Sequence, residues 1–400
     1  MGSERPKVFT IELSNNTNGH CVYFPGSEVK GTVIMELSEA LQPLQGIEIA
    51  LSGQAHAEWT KREDVGQRSY NFKYTNTENT MDEIVEKLWV ANPTKEGVHQ
   101  QKMGLAAGRY EFPFVFHLPT DQKLPSSFET TDPFEPAGFI RYILAARISQ
   151  SFVCQKYDHV AVKAVSVCGC IDVNTPNLGK PLSSSKDKTS GSLFCASKSG
   201  YVSLTATTDR GAYCSGESIA VSVTIESYAK RKAQIVQASL KQRITYHGTP
   251  TYDDRIVHYL PPKSFNCSKV IKKIEGRADW HNKLLPIPAT VPTIANCHAI
   301  EISYTLEVSL LQRRAFHVEI PIVIGTVPFK GPSDTIHDVL LDNSNYREKL
   351  GYTTVDKPVY IGKNAFTMGD LHYVPLYSFV TDYQFAPPDS EPAEVNDEDI

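Results

Sequence analysis

An all-β fold, two antiparallel β-sandwich domains in tandem followed by an irregular C-terminal tail, is what this 400-residue sequence predicts, and three observations predict it. At 41% hydrophobic, the chain is too long for one ordinary core and suits two domains of roughly 150 to 200 residues. Short alternating apolar runs punctuated by turn residues fill both halves, without the regular crossover helices a parallel sheet needs. One pattern is also spelled twice, as VYFPGSEVKGTVIMEL at 22–37 and AYCSGESIAVSVTIES at 212–227. Superposed, Tyr23 meets Tyr213, Gly26 meets Gly216, Val29 meets Ile219, Val33 meets Val223 and Met35 meets Ile225.

In chain order, VFTIEL, VKGTVIMEL and GIEIALSG read as strands, with Pro25-Gly26 turning into the inward-facing run Val29, Gly31, Val33, Met35. In TMDEIVEKLWV (80–90) the apolar residues Met81, Ile84, Val85, Leu88 and Trp89 recur at helical spacing, and Thr80 with Glu83 resembles a capping box. A short helix is expected there. YEFPFVFHLP places Phe112, Phe114, Phe116 and Leu118 on one face, while Pro113 donates no ladder hydrogen bond and marks an edge strand. Residues 175–192, TPNLGKPLSSSKDKTSGS, read as a linker. The expected division is a sandwich over 1–174, a linker over 175–195, a second sandwich over 196–330 and a tail over 331–400. The second half repeats the order of the first: Val291-Pro292 answers Leu124-Pro125, and SYTLEVSL from Ser303 answers RYILAARI from Arg141.

No apolar run approaches the roughly 20 residues of a membrane span, and MGSERPKVFTIEL lacks the apolar core of a signal peptide. Pro6 stands where an N-myristoylation pattern wants Ser or Thr. A cytoplasmic protein with peripheral membrane contact is expected. The eight cysteines are dispersed and read as free thiols, Cys168 and Cys170 being a single close pair without the second pair a zinc site uses. The net charge of −5 belongs to the end of the tail, where residues 389–400 hold six acids and no base; the rest of the chain carries +1, and nothing in it suggests a nucleic-acid protein.

Nucleotide, hydrolase and metalloprotease motifs are absent, and no nucleophile can be paired with a base, so no enzyme and no cofactor is expected. TYDDRIVH (251–258) reads as an exposed hairpin end. Two basic clusters, Lys230, Arg231, Lys232 and Lys269, Lys272, Lys273, are solvated faces or contacts for an acidic lipid surface, where each base contributes ~1 kcal/mol.

Six segments in this order, VYFPGSEVKGTVIMEL, GRYEFPFVFHLP with LPSSFE, CIDVNTPNL, SGYVSLTATTDRGAYCSGESI, DWHNKLLPIPATVPTIANC and IEISYTLEVSLLQ with VEIPIVIGTVPF, resemble the arrestin domain-containing proteins, the α-arrestins. The resemblance covers about residues 7–330. It implies two arrestin-type sandwiches and a cytosolic adaptor that binds membrane cargo, such as receptors and transporters, and couples it to ubiquitination, endocytosis and endosomal transport. In this family the coupling runs through Pro-Pro-x-Tyr motifs that dock in the WW domains of HECT-type ubiquitin ligases. Here Pro387-Pro388 is followed by Asp389, and two half-motifs remain: Val374, Pro375, Leu376, Tyr377 and Lys357, Pro358, Val359, Tyr360. The alternative is therefore a scaffold or competitor that binds cargo without recruiting a ligase. The family's thioredoxin-binding branch needs a Cys three residues before the Trp of the DWHNK-like segment; Arg277 stands there, before Trp280, so that route is not expected. Tyr352, Tyr373 and Tyr377 each open a Tyr-x-x-Φ pattern of the kind clathrin adaptors take up as an added strand. The same aromatic density reads equally as a strand docking back on the body.

Overall fold

In the computed structural model the described residues are 5–14, 22–91, 104–130, 137–149, 159–192, 195–227, 233–251, 257–275, 279–311, 316–329, 350–354, 359–361 and 367–380. The first half contains β1 (Val8–Leu13), β2 (Val22–Tyr23), β3 (Glu28–Leu37), β4 (Gly46–Val65), β5 (Arg68–Val90), β6 (Gly108–His117), β7 (Phe128–Glu129), β8 (Ala137–Ser149) and β9 (His159–Val167). The second contains β10 (Leu182–Ser192), β11 (Cys195–Thr208), β12 (Ala212–Cys214), β13 (Ser218–Ser227), β14 (Ala233–Pro250), β15 (His258–Glu275), β16 (Asp279–Pro286), β17 (Ile300–Leu310) and β18 (His317–Gly325). The tail adds β19 (Leu350–Thr354), β20 (Val359–Tyr360), β21 (Thr367–Asp370), β22 (His372–Tyr373) and β23 (Leu376–Val380).

Each half is a sandwich. In the first, the sheet β1-β3-β6 packs on β5-β4-β8-β9-β2; in the second, β10-β11-β13-β16 packs on β12-β18-β17-β14-β15. Two residue pairs, Thr249 with Thr75 and Pro250 with Tyr74, join β14 to β5 and make one continuous sheet across the halves. Period-two alternation builds the core: along β8, Ile140, Tyr142, Leu144, Ala146 and Ile148 are buried, and along β17, Ile302, Tyr304, Leu306, Val308 and Leu310. β6 is an edge strand and carries Pro113 opposite Thr32, with Phe114, Phe116 and Leu118 buried beneath it.

The duplicated pattern is one structural corner built twice. Gly26 and Gly216 have φ of 81° and 92°, a conformation glycine adopts at little cost. Gly26 N donates to Leu118 O at 3.1 Å, and Gly216 N to Ile287 O at 2.9 Å. Beside each corner a short strand runs parallel to the last long strand of its half, β2 to β9 and β12 to β18. The repeated tyrosines act alike as well: the buried Tyr142 hydroxyl donates to Pro125 O at 2.8 Å, and that of Tyr304 to Val291 O. A Cβ at Gly26 would also stand 2.9 Å from Thr120 Cγ2. Gly26→Val is therefore expected to cost about 1–3 kcal/mol, read as a fall in melting temperature; an unchanged midpoint would contradict the turn assignment.

Three expectations are corrected. Residues 80–90 are not a helix but the last part of β5, paired with β4. Bulges at Ile47/Glu48 and around Gly53 shift the register there, which breaks the two-residue alternation and leaves apolar spacings that mimic a helix. Met81 is buried while Ile84 and Val85 stay exposed, and Glu83 accepts from Arg147 instead of capping a helix. Within the stretch read as a linker, Leu182–Ser192 forms β10, an outer strand on β11 whose polar composition suits an edge. Among the described residues, the tail, expected to be irregular, forms short paired strands: β19 with β23, β20 with β22, and β21 with β9. The tip at 252–256 of the TYDDRIVH stretch lies outside the described residues, between the paired strands β14 and β15.

Candidate interaction surfaces

The edge of β9 receives two short parallel strands, β2 along Ser166–Val167 and the tail strand β21 along Val160–Lys163. Gly369 makes the second approach feasible: its φ is 98° and a Cβ would stand 2.6 Å from Val162 O. Beyond β21 the chain turns inward. The Tyr373 hydroxyl lies 3.4 Å from Ser166 Oγ and also bonds the Ser127 side chain. Burial, partly countered by those hydroxyls, pushes its pKa up to about 12, with the Glu129 carboxylate nearby adding to the rise. Leu376 N donates to Ser166 Oγ at 3.0 Å, and the Cys168 thiol donates to Leu376 O at 3.8 Å. Tyr377 enters the main core at 2% exposure. Val380 N then donates to Ser215 O at 2.9 Å, so the tail reaches from one sandwich to the other.

The receiving side comes from LPSSFE: Ser127 Oγ accepts from Val167 N at 3.0 Å and Ser126 Oγ accepts from Gly169 N at 2.9 Å. These bonds fix both serines against β9. Each large apolar side chain buried by the tail contributes about 1.5–3 kcal/mol. Ordering the segment costs about 1–2 kcal/mol per residue, which opposes that gain. Ile361 and Thr367 also border a cleft of about 380 Å³ over Ile143, Ala145, Val160 and Val162, with Arg141 and Arg147 in its walls.

A second surface lies where the halves meet. Trp59 stacks on Tyr74 at 5.2 Å, His258 meets the Tyr74 ring edge-on at 5.3 Å, and a Cβ at Gly248 would touch Trp59. Along the same strands Tyr70, Val257 and Tyr259 are exposed, Tyr259 at 67%; Tyr70 shares the face of Tyr74, whereas Tyr259, next to His258, turns to the other face of the sheet. Four residues along β5 from Tyr74, Glu78 accepts from His298 N at 2.6 Å, Ala299 N at 3.0 Å, Cys297 Sγ at 3.0 Å and bonds His298 Nδ1 at 2.9 Å. One carboxylate thus gathers four groups of the other half.

Of the residues singled out in the sequence, Tyr373, Pro375, Leu376 and Tyr377 are buried and Val374 is half-buried. Tyr360 is 62% exposed and meets His372 edge-on at 5.8 Å. Tyr352 stands opposite Ser378 in the β19–β23 pair. Lys269 and Lys272 are exposed on β15 but project to opposite faces of it, and Lys273 follows in the same strand. Lys230, Arg231, Lys232, Lys357 and Pro358 lie outside the described residues. Sequence reasoning missed Ser127, Ser166, Ser215 and Glu78. LPSSFE was a readable signal for the first of them; Glu78 had none.

Burial pushes the thiols of Cys168 and Cys267 up to about 11 and that of Cys297 up to about 12, which makes them poor nucleophiles. Among the described residues, Glu307, His317 and Glu319 have ligand atoms within 4.8 Å of one another, but Lys241 already holds Glu307 and Arg243 approaches Glu319 at 3.6 Å. No helix among the described residues is long and apolar enough to cross a membrane.

Residues 9–174 match the family described as Arrestin (or S-antigen), N-terminal domain, and residues 198–329 match Arrestin (or S-antigen), C-terminal domain. The chain is 29% identical over 336 residues to human arrestin domain-containing protein 4, covering 83% of this chain and 74% of that protein. It is 28% identical over 346 residues to the mouse protein of the same name, covering 82% and 74%. It is also 26% identical over 310 residues to mouse thioredoxin-interacting protein, covering 76% and 70%. Two sandwiches joined through one sheet, the corner repeated in both and the paired domain matches establish that this chain belongs to the arrestin family, as an arrestin domain-containing protein of the α-arrestin kind with an adaptor or scaffold role.

Proposed function

We propose that this protein is a cytoplasmic adaptor, recruited peripherally to plasma membrane and endosomes, that binds membrane cargo and couples it to ubiquitination, endocytosis and endosomal transport. The observation that carries this reading is the joining of two arrestin-type sandwiches through one sheet, with exposed apolar side chains of both halves near the join, Tyr70, Val257 and Tyr259, while Tyr373 and Tyr377 of the tail are folded away. Exposed aromatic side chains suit protein recognition, because they lose little rotamer freedom on binding. Lys269 would add one basic contact with acidic lipid from one face of β15 and Lys272 one from the other. Tyr360 is the accessible end of its half-motif for a WW domain, and the Tyr-x-x-Φ patterns would serve a clathrin adaptor once the tail is released.

Crosslinking in cells followed by identification of captured membrane proteins tests the cargo role. The double variant Tyr70→Ser/Tyr259→Ser is expected to capture at least tenfold less cargo than wild type at equal abundance; equal capture would refute the assignment of this surface. A second reading, a scaffold that binds cargo without a ligase, is favoured by the burial of Pro375 and Tyr377. Isolated WW domains should retain the full chain and lose Tyr360→Ala; no retention of wild type would select the second reading.

A further inference from the structure

An unpaired sheet edge offers a row of backbone donors and acceptors, and the long edges of this molecule are blunted in every case but one. β6 carries Pro113, and β15 carries Pro261 and Pro262 with two register shifts against β14. β16 has a register shift against β13 and Asn282 at a φ of 45°, and residues 81–90 of β5 are bulged against β4. Prolines and bulges of this kind stop a further strand from pairing. Among the described residues β10 is the exception. Its pairing with β11 continues from Leu182 opposite Thr208 to Ser190 opposite Gly200 without a shift, and no strand lies on its other side. β10 also adds little to the core: the sheet β1-β3-β6 corresponds to β11-β13-β16, with β10 added outside β11, and Leu182 is its one described side chain that packs on the core.

Charge of alternating sign is what this free edge presents. Lys186, Asp187 and Lys188 are exposed, and none has an ion-pair partner among the described residues. Lys186 and Lys188 stand opposite the buried Leu204 and Val202, on the inner side of the sheet at its rim, while Asp187 stands opposite Ser203 on the outer side. We propose that the free edge of β10 is a docking site for an extended segment of a partner protein with an acid-base-acid centre: Asp or Glu, then Lys or Arg, then Asp or Glu. Backbone pairing supplies general affinity in such strand addition, and the three cross-strand ion pairs supply the choice of partner. The pattern reads the same in both directions, so it fits a parallel or an antiparallel strand. A second copy of this chain does not fit, because symmetric pairing centred on Lys186, Asp187 or Lys188 sets that residue against its own copy, and like charges directly opposite are destabilising. The same three side chains therefore admit one class of strand and reject self-pairing. The inference does not depend on the cargo reading above.

The test uses the full chain and two fluorescein-labelled peptides, TVTEKETVT and its charge-reversed form TVTKEKTVT. Fluorescence polarisation should show TVTEKETVT binding the wild-type chain at least tenfold more tightly than TVTKEKTVT. The triple variant Lys186→Glu/Asp187→Lys/Lys188→Glu, changed only at exposed positions, should reverse that order. In the wild-type chain, saturating TVTEKETVT should slow amide exchange over 182–190 at least tenfold while leaving β8 unchanged, a readout that stands if the variant does not fold. Binding of neither peptide, equal binding of both, an order that the variant keeps, or unchanged exchange over 182–190 would each overturn the proposal. A wild-type dimer in sedimentation that the triple variant abolishes would give the edge to a second copy and overturn it as well.

Discussion

Replacing Arg210 by methionine is expected to lower the unfolding free energy by about 3–5 kcal/mol, because it strands a buried carboxylate. The Arg210 and Glu217 side chains are 4% and 0% exposed, and Arg210 Nη2 lies 3.2 Å from Glu217 Oε2. The guanidinium is also held between the rings of Tyr213 and Phe329, at 4.5 and 4.4 Å, which methionine would replace only in part. Burial pushes the Glu217 carboxyl above its usual range, and the Arg210 charge pulls it partly back. A folded-state pKa raised above the unfolded one contributes stability fully present below the unfolded value of 4.5 and lost as pH rises through the folded value. Without Arg210 the carboxyl rises further, so the variant's deficit should be larger at pH 8 than at pH 5. Urea denaturation at both pH values measures it, and Glu217→Gln in the same background should recover part of the loss at pH 8. Equal deficits at the two pH values would show that lost packing, not stranded charge, dominates.

The corner that holds this pair was legible in the sequence because its cause is local. A glycine, a preceding turn and an alternating run recur at Gly26 and Gly216, and backbone sterics turn that pattern into one geometry wherever it occurs. The buried faces of β6, β8 and β17 were legible for the same reason, since alternation writes them directly. The end of β5 was not: bulges against β4 are tertiary events, and they rewrote the spacing from which a helix was inferred. Polar composition likewise hid β10, since an outer strand needs few apolar residues to pair.

The tail shows the limit most clearly. Tyr-x-x-Φ names a chemistry, a phenol and a bulky apolar group one short strand apart, without naming the surface that receives them. That surface is assembled from the Leu124–Glu129 loop, Ser166 and the Gly216 corner, residues separated by many tens of positions. The two duplicate corners also diverge here. A Cβ at Gly26 would meet a threonine methyl, whereas one at Gly216 would stand 2.4 Å from Val380 O of the tail. The same corner has been kept as a turn in one half and used in the other as a seat for the tail.

Glu78→Ala is expected to uncouple the halves locally and cost about 2–4 kcal/mol, since hydrogen bonds to a charged group contribute about 1.5–3 kcal/mol each and several share this carboxylate. The amides of His298 and Ala299 would lose their acceptor, while the two-residue pairing of β5 with β14 and the bond from Asn76 Nδ2 to His298 O would remain. Amide exchange at 298 and 299, corrected for intrinsic rates, should therefore accelerate at least tenfold, with little change along the middle of β8. Glu78→Gln, which keeps an acceptor but not the charge, should fall between. Burial alone would raise the Glu78 carboxyl, but the Cys297 thiol, His298 and the Ala299 amide outweigh it and hold the group below its usual range. A depressed folded-state pKa contributes stability present above the unfolded value of 4.5 and lost as pH falls through the folded one. Wild-type exchange at these amides should converge on that of Glu78→Ala as acid protonates the carboxyl, and rates that are identical at pH 7 would show that the four contacts carry no coupling. Because Glu78 lies four residues along β5 from Tyr74, a measured coupling would mean that this carboxylate works alongside the β5–β14 pairing to hold the two halves in place.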